Sequence, residues 1–280
     1  MTITATVIAD SIAEGCPRLT TMQLRYPRFI HSEFLTHRAF SRNASSSRAI
    51  PVERLIQDVL DDPAMPIYWG ANKPGMQAGE QCNAFVGGEG VSGYDHFDNA
   101  YDGVPREKAW LKGRDHAVNV AKAFAKSGYH KQIVNRILEP FAHINALVTA
   151  TEDAYEHFFA LRDHPDAQPE IAALARAMRM AMAQSKPLPM RLDEWHTPYC
   201  EPDGDRRISA ARCASVSYKT VDGKPMTIDK ALQIYDKLAG SDPIHASPFE
   251  HIARPAPEGG KGCGNFDRWY QWRTDVDGRD

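Results

Sequence analysis

The sequence lacks most of the features that announce common chemistries. Its 280 residues contain five cysteines, Cys16, Cys82, Cys200, Cys213 and Cys263, an odd number with no CxxC pair. That excludes a disulfide framework and a zinc knuckle, and it fits a reducing, cytoplasmic setting. There is no GxSxG elbow, no Walker A loop and no GxGxxG following a strand, so any nucleotide is bound by another geometry. No window reaches the ~18 consecutive apolar residues of a membrane span. The opening MTITATVIADSIAEG has two acids and no basic residue, unlike a signal peptide. Internal repeats and low-complexity tracts are also missing. With 33 Lys plus Arg against 36 Asp plus Glu, the net charge of −3 provides no bulk positive field for coating nucleic acid. An anionic ligand must therefore be met locally.

Locally, lysine is absent where arginine is dense. Residues 1–54 carry seven Arg, no Lys and four acids, while residues 55–104 carry eight acids and only Lys73. Arginine without lysine points to bidentate recognition of phosphate or carboxylate rather than to solvation.

Patterning predicts two early strands, Thr2 to Ala9 and Arg18 to Arg25, joined by a turn at Glu14-Gly15-Cys16-Pro17. Pro27 opens a helix-like stretch with apolar Phe29, Ile30, Phe34, Leu35 and Phe40, which places His37, Arg38 and Arg42 toward its C-terminal end. A Ser-rich link leads to a short helix from Val52 to Leu60, and residues 61–105 form a long loop rich in Gly, Pro, Asn and aromatics, the kind of loop that covers a site. Helices follow at Arg106 to Lys126, Lys131 to Leu138 and Glu152 to Leu161, then in IAALARAMRMAMA, whose apolar stripe reads as core. ARCASVSY reads as a short strand, Thr227 to Ala239 as an amphipathic helix, and SPFEH as a helix with Ser247 as cap. The expected fold is a single α+β domain spanning 1–280, with a twisted, mostly antiparallel sheet flanked by helices.

Two clusters carry chemistry. In THRAFSRNASSSR, Arg38 and Arg42 share a helical face at i, i+4, and three serines precede Arg48 with no acid in the segment. That arrangement suits a phosphate, and it also reads as a helix C-terminus whose basic residues complement the macrodipole. In HASPFEH, two His and a Glu stand at H-x4-E-H, a spacing that matches no common zinc motif, so no metal is expected. No Cys or Ser lies in a context that would activate it as a nucleophile.

Five segments together resemble the flavin-dependent thymidylate synthase family. Thr36-His37-Arg38, followed after seven residues by Ser46 and then Arg48, is similar to its Arg-His-Arg…Ser-x-Arg signature. His245 to His251 resembles its HxTPFEH segment, and Ala214 to Tyr218 its ARVSY segment. Arg136-Ile137-Leu138-Glu139-Pro140 and Leu161-Arg162 with Gln168, Glu170 and Ile171 resemble its remaining two. The order differs. In the family the ARVSY and PFEH segments come first, whereas here they come last, so the chain resembles a circular permutation in which both chain ends close one sheet.

The resemblance implies a homotetramer with shared sites that binds FAD and methylates dUMP, with methylenetetrahydrofolate as carbon donor and NADPH as reductant. It implies no nucleic-acid or membrane partner. Ser46, Ser47 and Arg48 with Arg136 would grip the dUMP phosphate, Glu33 would stand beside the nucleotide, and Arg162 would be catalytic, stabilising charge at pyrimidine N3. Thr36, His37, Arg38, His157 and Ser247 would contact FAD, with Glu250 ordering that shell. Three departures from the pattern stand out: Thr36 for Arg, Glu33 for Gln and Ala44 for Glu. The Glu33 and Ala44 changes suit a second reading, hydroxymethyl transfer to dUMP or dCMP, because a carboxylate accepts from a cytosine amino group. A third reading is a catalytically silent nucleotide or RNA binder.

Overall fold

Strands β1 (Thr4–Ile12) and β2 (Leu19–Pro27) form an antiparallel hairpin. Its turn contains Gly15 at φ 72°, a backbone region that glycine enters without strain. The computed structural model describes residues 3–87, 103–216, 224–256 and 264–278. After β2 come α1 (His31–Phe34), β3 (Ser41–Ala44), α2 (Val52–Asp61), α3 (Arg106–Lys126) and α4 (Lys131–Val134). They are followed by β4 (His143–Thr151), α5 (Glu152–Arg162), α6 (Pro169–Gln184) and β5 (Leu188–Pro189). The C-terminal part adds α7 (Arg206–Ser215), α8 (Ile228–Ala239), β6 (Ala253–Pro255), β7 (Trp269–Gln271) and α9 (Arg273–Asp277).

The main sheet has the order β3-β4-β2-β1-β5, with every pairing antiparallel except β1 with β5. The architecture is thus α+β with a mostly antiparallel sheet. Met22, Leu24 and Tyr26 of β2, with Ala146, Val148 and Ala150 of β4, project to one face. There they pack with Tyr155, Phe158 and Phe159 of α5 and Ile171, Leu174 and Met178 of α6, all essentially removed from solvent. The alternate residues face the C-terminal layer, where Leu147 packs with Tyr199, Cys213 and Val216, and Leu19 packs with Trp269. A third cluster joins Leu55, Ile56 and Val59 of α2 to Val118 and Ala121 of α3.

Polar groups also cross the interface between sheet and C-terminal layer. Ser11 Oγ lies 2.8 Å from His196 Nδ1, and Thr21 Oγ1 lies 2.8 Å from His196 Nε2 and 2.6 Å from Thr149 Oγ1, which in turn lies 2.8 Å from His251 Nδ1. All five residues are buried. A neutral imidazole offers one donor and one acceptor, as a hydroxyl does, so the row closes as a one-directional chain of hydrogen bonds without an extra proton.

Several elements differ from the pattern-based expectations. The stretch after Pro27 is one 3₁₀ turn plus α1 and ends at Phe34. Thr36 Oγ1 donates to the Glu33 carbonyl at 2.7 Å, and the Arg42 guanidinium donates to the carbonyls of Leu35 and His37 at 2.9 and 2.7 Å. These bonds take the groups a continuing helix would use. Arg42 consequently lies in β3, not on a helical face shared with Arg38. Part of the Ser-rich link is itself β3, and Lys131 to Leu138 divides into α4 and a 3₁₀ turn.

β4 was missed as a strand although HINALVTAT alternates: Ile144, Ala146, Val148 and Ala150 turn to the core of α5 and α6 and polar His143, Asn145, Thr149 and Thr151 to the other face, with Leu147 the one break in the pattern. Residues 206–215 form α7 rather than a strand. The Asp205 side chain accepts from the Arg207 N–H, and Val216 at φ 51° ends the helix; Ser217 and Tyr218 lie outside the described residues. Ser247 does not cap SPFEH, a 3₁₀ turn without side-chain capping. Among the described residues the C-terminal part adds no strand to the main sheet, since β6 and β7 pair with each other. It covers the sheet's face instead, with Asn43 Nδ2 donating to the Cys213 carbonyl at 3.4 Å and Gln271 Nε2 to Ser41 Oγ at 3.0 Å. The juxtaposition that a permuted order requires is therefore achieved through a face rather than an edge. No helix among the described residues is long and apolar enough to cross a membrane.

Burial, the largest cause in each case, lowers the pKa of His196 to about 4 and of His251 to about 3. Unfolded histidines titrate near 6.5, so as pH falls below that value the unfolded chain binds protons first. The stability these two groups contribute is complete above about pH 6.5 and is lost progressively toward pH 4, by about 1.4 kcal/mol per histidine per pH unit. Urea-unfolding midpoints measured from pH 7 to 4.5 should fall along this curve, and an unchanged midpoint would contradict the neutral chain.

Candidate functional site

α5 begins where β4 ends and runs back along the sheet, which brings its last residue, Arg162, to the end of the sheet where β2 leads into α1. There the guanidinium is fixed from three sides. Nε donates to His37 Nε2 at 2.9 Å, Nη1 donates to Glu33 Oε1 at 2.5 Å, and Nη2 reaches Thr36 Oγ1 at 3.5 Å. Only about a fifth of the arginine side chain remains exposed. An arginine N–H can only donate, so His37 Nε2 must carry a lone pair and the ring's proton sits on Nδ1. Burial first, and then the nearby charges of Arg162, His157 and Arg42, lower the His37 pKa to about 4. The ring stands edge-on to Phe158 at 4.7 Å. His37 is thus a neutral acceptor that orients Arg162.

Of the other expected flavin contacts, Thr36, Arg38, His157 and Ser247 are exposed. Arg38 has no carboxylate partner among the described residues. Glu250 is ion-paired with Arg273, while its backbone carbonyl accepts from Gln271 Nε2 at 2.8 Å. β3 packs against the SPFEH turn, which sets Ser247 and Glu250 beside that strand. The exposed Ser247 hydroxyl and the Arg38 guanidinium suit the phosphates of a flavin nucleotide, while Thr36, whose proton goes to the Glu33 carbonyl, offers it only an acceptor; with that donor set the residues fit FAD. The three ionisable residues of HASPFEH have different surroundings: His251 is buried on Thr149, Glu250 pairs with Arg273, and His245 is exposed.

The expected phosphate-binding residues form a second group beyond β3. Ser47 is buried and donates to Glu139 Oε1 at 2.6 Å, while Ser46 and Arg48 are exposed. Asn135 Nδ2 braces this turn by donating to the carbonyls of Ser47 and Ile50 at 2.7 and 2.9 Å. Glu139 also meets Arg28 at 3.1 Å and Arg136 at 3.9 Å. Ser47, Arg136 and Glu139 are therefore assembled, and no hydrogen bond or ion pair among the described residues links them to the Arg162 group.

Sequence reasoning did not place Arg28 or Glu139 in the site, and Arg42, read there as a phosphate donor beside Arg38, instead holds the carbonyls of Leu35 and His37. Glu139 carried one signal, its i+3 position after Arg136. Ala44 ends β3 on the surface, and Thr151 is buried in β4 while Asp153 is exposed. The described part of loop 61–105 packs on α3, with Trp69 edge-on to Trp110 at 5.9 Å and Arg106 over the Trp69 ring. Among the described residues no hydrogen bond or ring contact joins it to either group, and residues 88–102 lie outside the description.

The sequence matches the family described as "Thymidylate synthase complementing protein" over residues 19–188. A search of curated proteins finds no match. Among solved structures, a UMP/dUMP methylase, PolB from Streptomyces cacaoi, bound with 5-Br dUMP, is similar with a TM-score of 0.44 and 17% identity, over 65% of this chain and 90% of that one. The family match takes in both residue groups, whereas Ser247 and Glu250 lie beyond it. With more than half its length matched, the chain belongs to the thymidylate synthase complementing proteins, the flavin-dependent thymidylate synthase family.

Proposed function

We propose that the chain methylates dUMP to dTMP, with methylenetetrahydrofolate as carbon donor, NADPH as reductant and FAD as cofactor, in a homotetramer whose subunits share sites. Family membership supports the reaction class. The observation that carries the reading is Arg162, oriented by a neutral His37 and a carboxylate while still reaching the surface.

In this reading the phosphate of dUMP is held by Ser46, Ser47, Arg48 and Arg136 through charge-assisted hydrogen bonds, with Glu139 keeping Ser47 and the arginines in place until the ligand arrives. Arg162 aims its guanidinium at the pyrimidine and stabilises negative charge as it develops at N3, a preorganised electrostatic role. His37 contributes by staying neutral, because a protonated ring could not accept from Arg162 Nε. Thr36, Arg38, His157 and Ser247 would hold FAD, which when bound supplies the hydride chemistry of the reaction. No protein nucleophile is required. Consistently, burial is the leading cause that raises the thiol pKa of Cys16, Cys200 and Cys213, which keeps all three protonated.

Incubation of the purified protein with dUMP, methylenetetrahydrofolate, NADPH and FAD should give a product heavier than dUMP by a methyl replacing hydrogen. A hydroxymethyl product, or product from dCMP alone, would overturn the methylation reading. Protein with no yellow absorbance and no affinity for added FAD would support the silent binder instead.

Arg162→Ala should leave the far-UV circular dichroism unchanged and lower kcat by about 100- to 1,000-fold, as expected for loss of one preorganised donor. Retained activity would remove Arg162 from the mechanism. Glu33→Gln replaces the ion pair by a hydrogen bond from the charged guanidinium to a neutral amide oxygen, which still orients Arg162, so dUMP turnover should stay within about tenfold of wild type. A fall to the Arg162→Ala level would show that the charge at position 33 is required.

A further inference from the structure

Outside both residue groups, and outside the span matched by the family, the C-terminal layer builds a ladder of alternating rings and cations. The Arg206 guanidinium carbon lies over two indoles, 4.3 Å from the Trp195 ring centroid and 4.9 Å from that of Trp272. Tyr235 stacks on Trp272 with ring planes 2° apart and centroids at 6.0 Å. On the other side Arg254 lies over Trp195 at 5.5 Å and over Tyr270 at 5.0 Å. Residues from α7, α8, the segment before α7 and the start of α9 meet here around a cavity of about 400 Å³.

The charges in this cavity are unequally engaged. Asp203 Oδ1 accepts from the Trp195 backbone N–H at 3.1 Å, and Asp205 accepts from the Arg207 backbone N–H at 2.8 Å and from its guanidinium at 3.1 and 2.7 Å. Both acids that line the cavity thus have partners. Arg206 has none: among the described residues it forms no hydrogen bond and no ion pair. An arginine held by its faces keeps its five N–H donors in the plane of its edge, where the rings cannot satisfy them. The ladder therefore fixes one always-charged fork and leaves its donors open beside aromatic surface. A phosphate oxygen pair matches the fork, and a heteroaromatic base matches the rings.

We propose that this cavity is a second nucleotide site, which takes a nucleoside 5′-monophosphate with its phosphate on the edge of Arg206 and its base against the part-exposed rings of Trp195 and Tyr235, Trp272 being buried between Arg206 and Tyr235 as their support. The site is separate from the one that would process dUMP, and its occupancy does not depend on the reaction assigned to Arg162.

Equilibrium dialysis with radiolabelled dUMP, together with tryptophan fluorescence, tests it on the full chain. Wild type should bind about one more equivalent per chain than Arg206→Gln, and the fluorescence change should persist in Arg162→Ala and disappear in Arg206→Gln. Arg206→Lys keeps charge and side-chain length while losing the planar fork, and its affinity at this site should fall by at least about tenfold. Circular dichroism and dUMP turnover equal to wild type would show that both Arg206 variants are folded. Loss of all binding in Arg162→Ala, with Arg206→Gln indistinguishable from wild type, would overturn the site while leaving the proposed reaction standing. Uridine and inorganic phosphate should each bind more weakly than dUMP, and equal affinity of phosphate alone would overturn the assignment of the base to the rings. Binding of single-stranded DNA in the absence of any mononucleotide binding would overturn the proposal in favour of a polymer surface.

Discussion

The antiparallel ladder between β2 and β4 is the constraint on which everything else hangs. Nine residue pairs, from Leu19 opposite Thr151 to Pro27 opposite His143, join segments separated by more than a hundred residues, and both faces of the pair are covered. Its direction explains the site. β2 delivers the chain into α1 at one end of the ladder, while β4 delivers it into α5 at the other. An eleven-residue helix of about 16 Å then returns Arg162 toward Glu33 and His37. No loop needs an unusual conformation for these three to meet.

Around Arg162 the protein solves an electrostatic problem with a tautomer. A histidine beside an arginine is disfavoured as a cation, and partial burial reinforces the effect. The ring therefore accepts from the guanidinium, and the carboxylate of Glu33 sits on the next nitrogen. The arginine keeps its charge but loses its freedom to move. At the other group, Glu139 does something similar for Ser47, Arg28 and Arg136. Each cluster of donors is held ready by one carboxylate of the chain itself.

Much of this was legible in the residues. The hairpin turn at Gly15, the helix Arg106–Lys126, the apolar stripe of residues 171–183 inside α6 and the amphipathic helix of residues 227–239 followed from turn chemistry and periodicity. The residues now around Arg162 were named through the resemblance of their segments to the flavin-dependent thymidylate synthase family. Elements set by tertiary burial were not legible. In β4 the alternation is broken by Leu147, which packs under the C-terminal layer and blurs the period of two, and α1 is cut short by Arg42, whose hold on two carbonyls has no signature in the sequence. The ARCAS segment contains residues compatible with either state, and an aspartate cap decided for helix. Arg28 and Glu139 gain meaning only once Pro27 is seen opposite His143.

The buried row from Ser11 to His251 has a consequence for tolerance. A greasy contact between two layers is permissive, since side chains can slide by a fraction of an ångström and repack, whereas a file of hydroxyls and imidazoles holds only while each link keeps its hydrogen-bond distance. His251 immediately follows Glu250 and lies four residues after Ser247, so the same file that seats the C-terminal layer also sets how far those two residues stand from β3. The hydrogen-bond row works as a dowel: it adds precision where a covalent connection between the two halves of the site runs through a long detour of the chain.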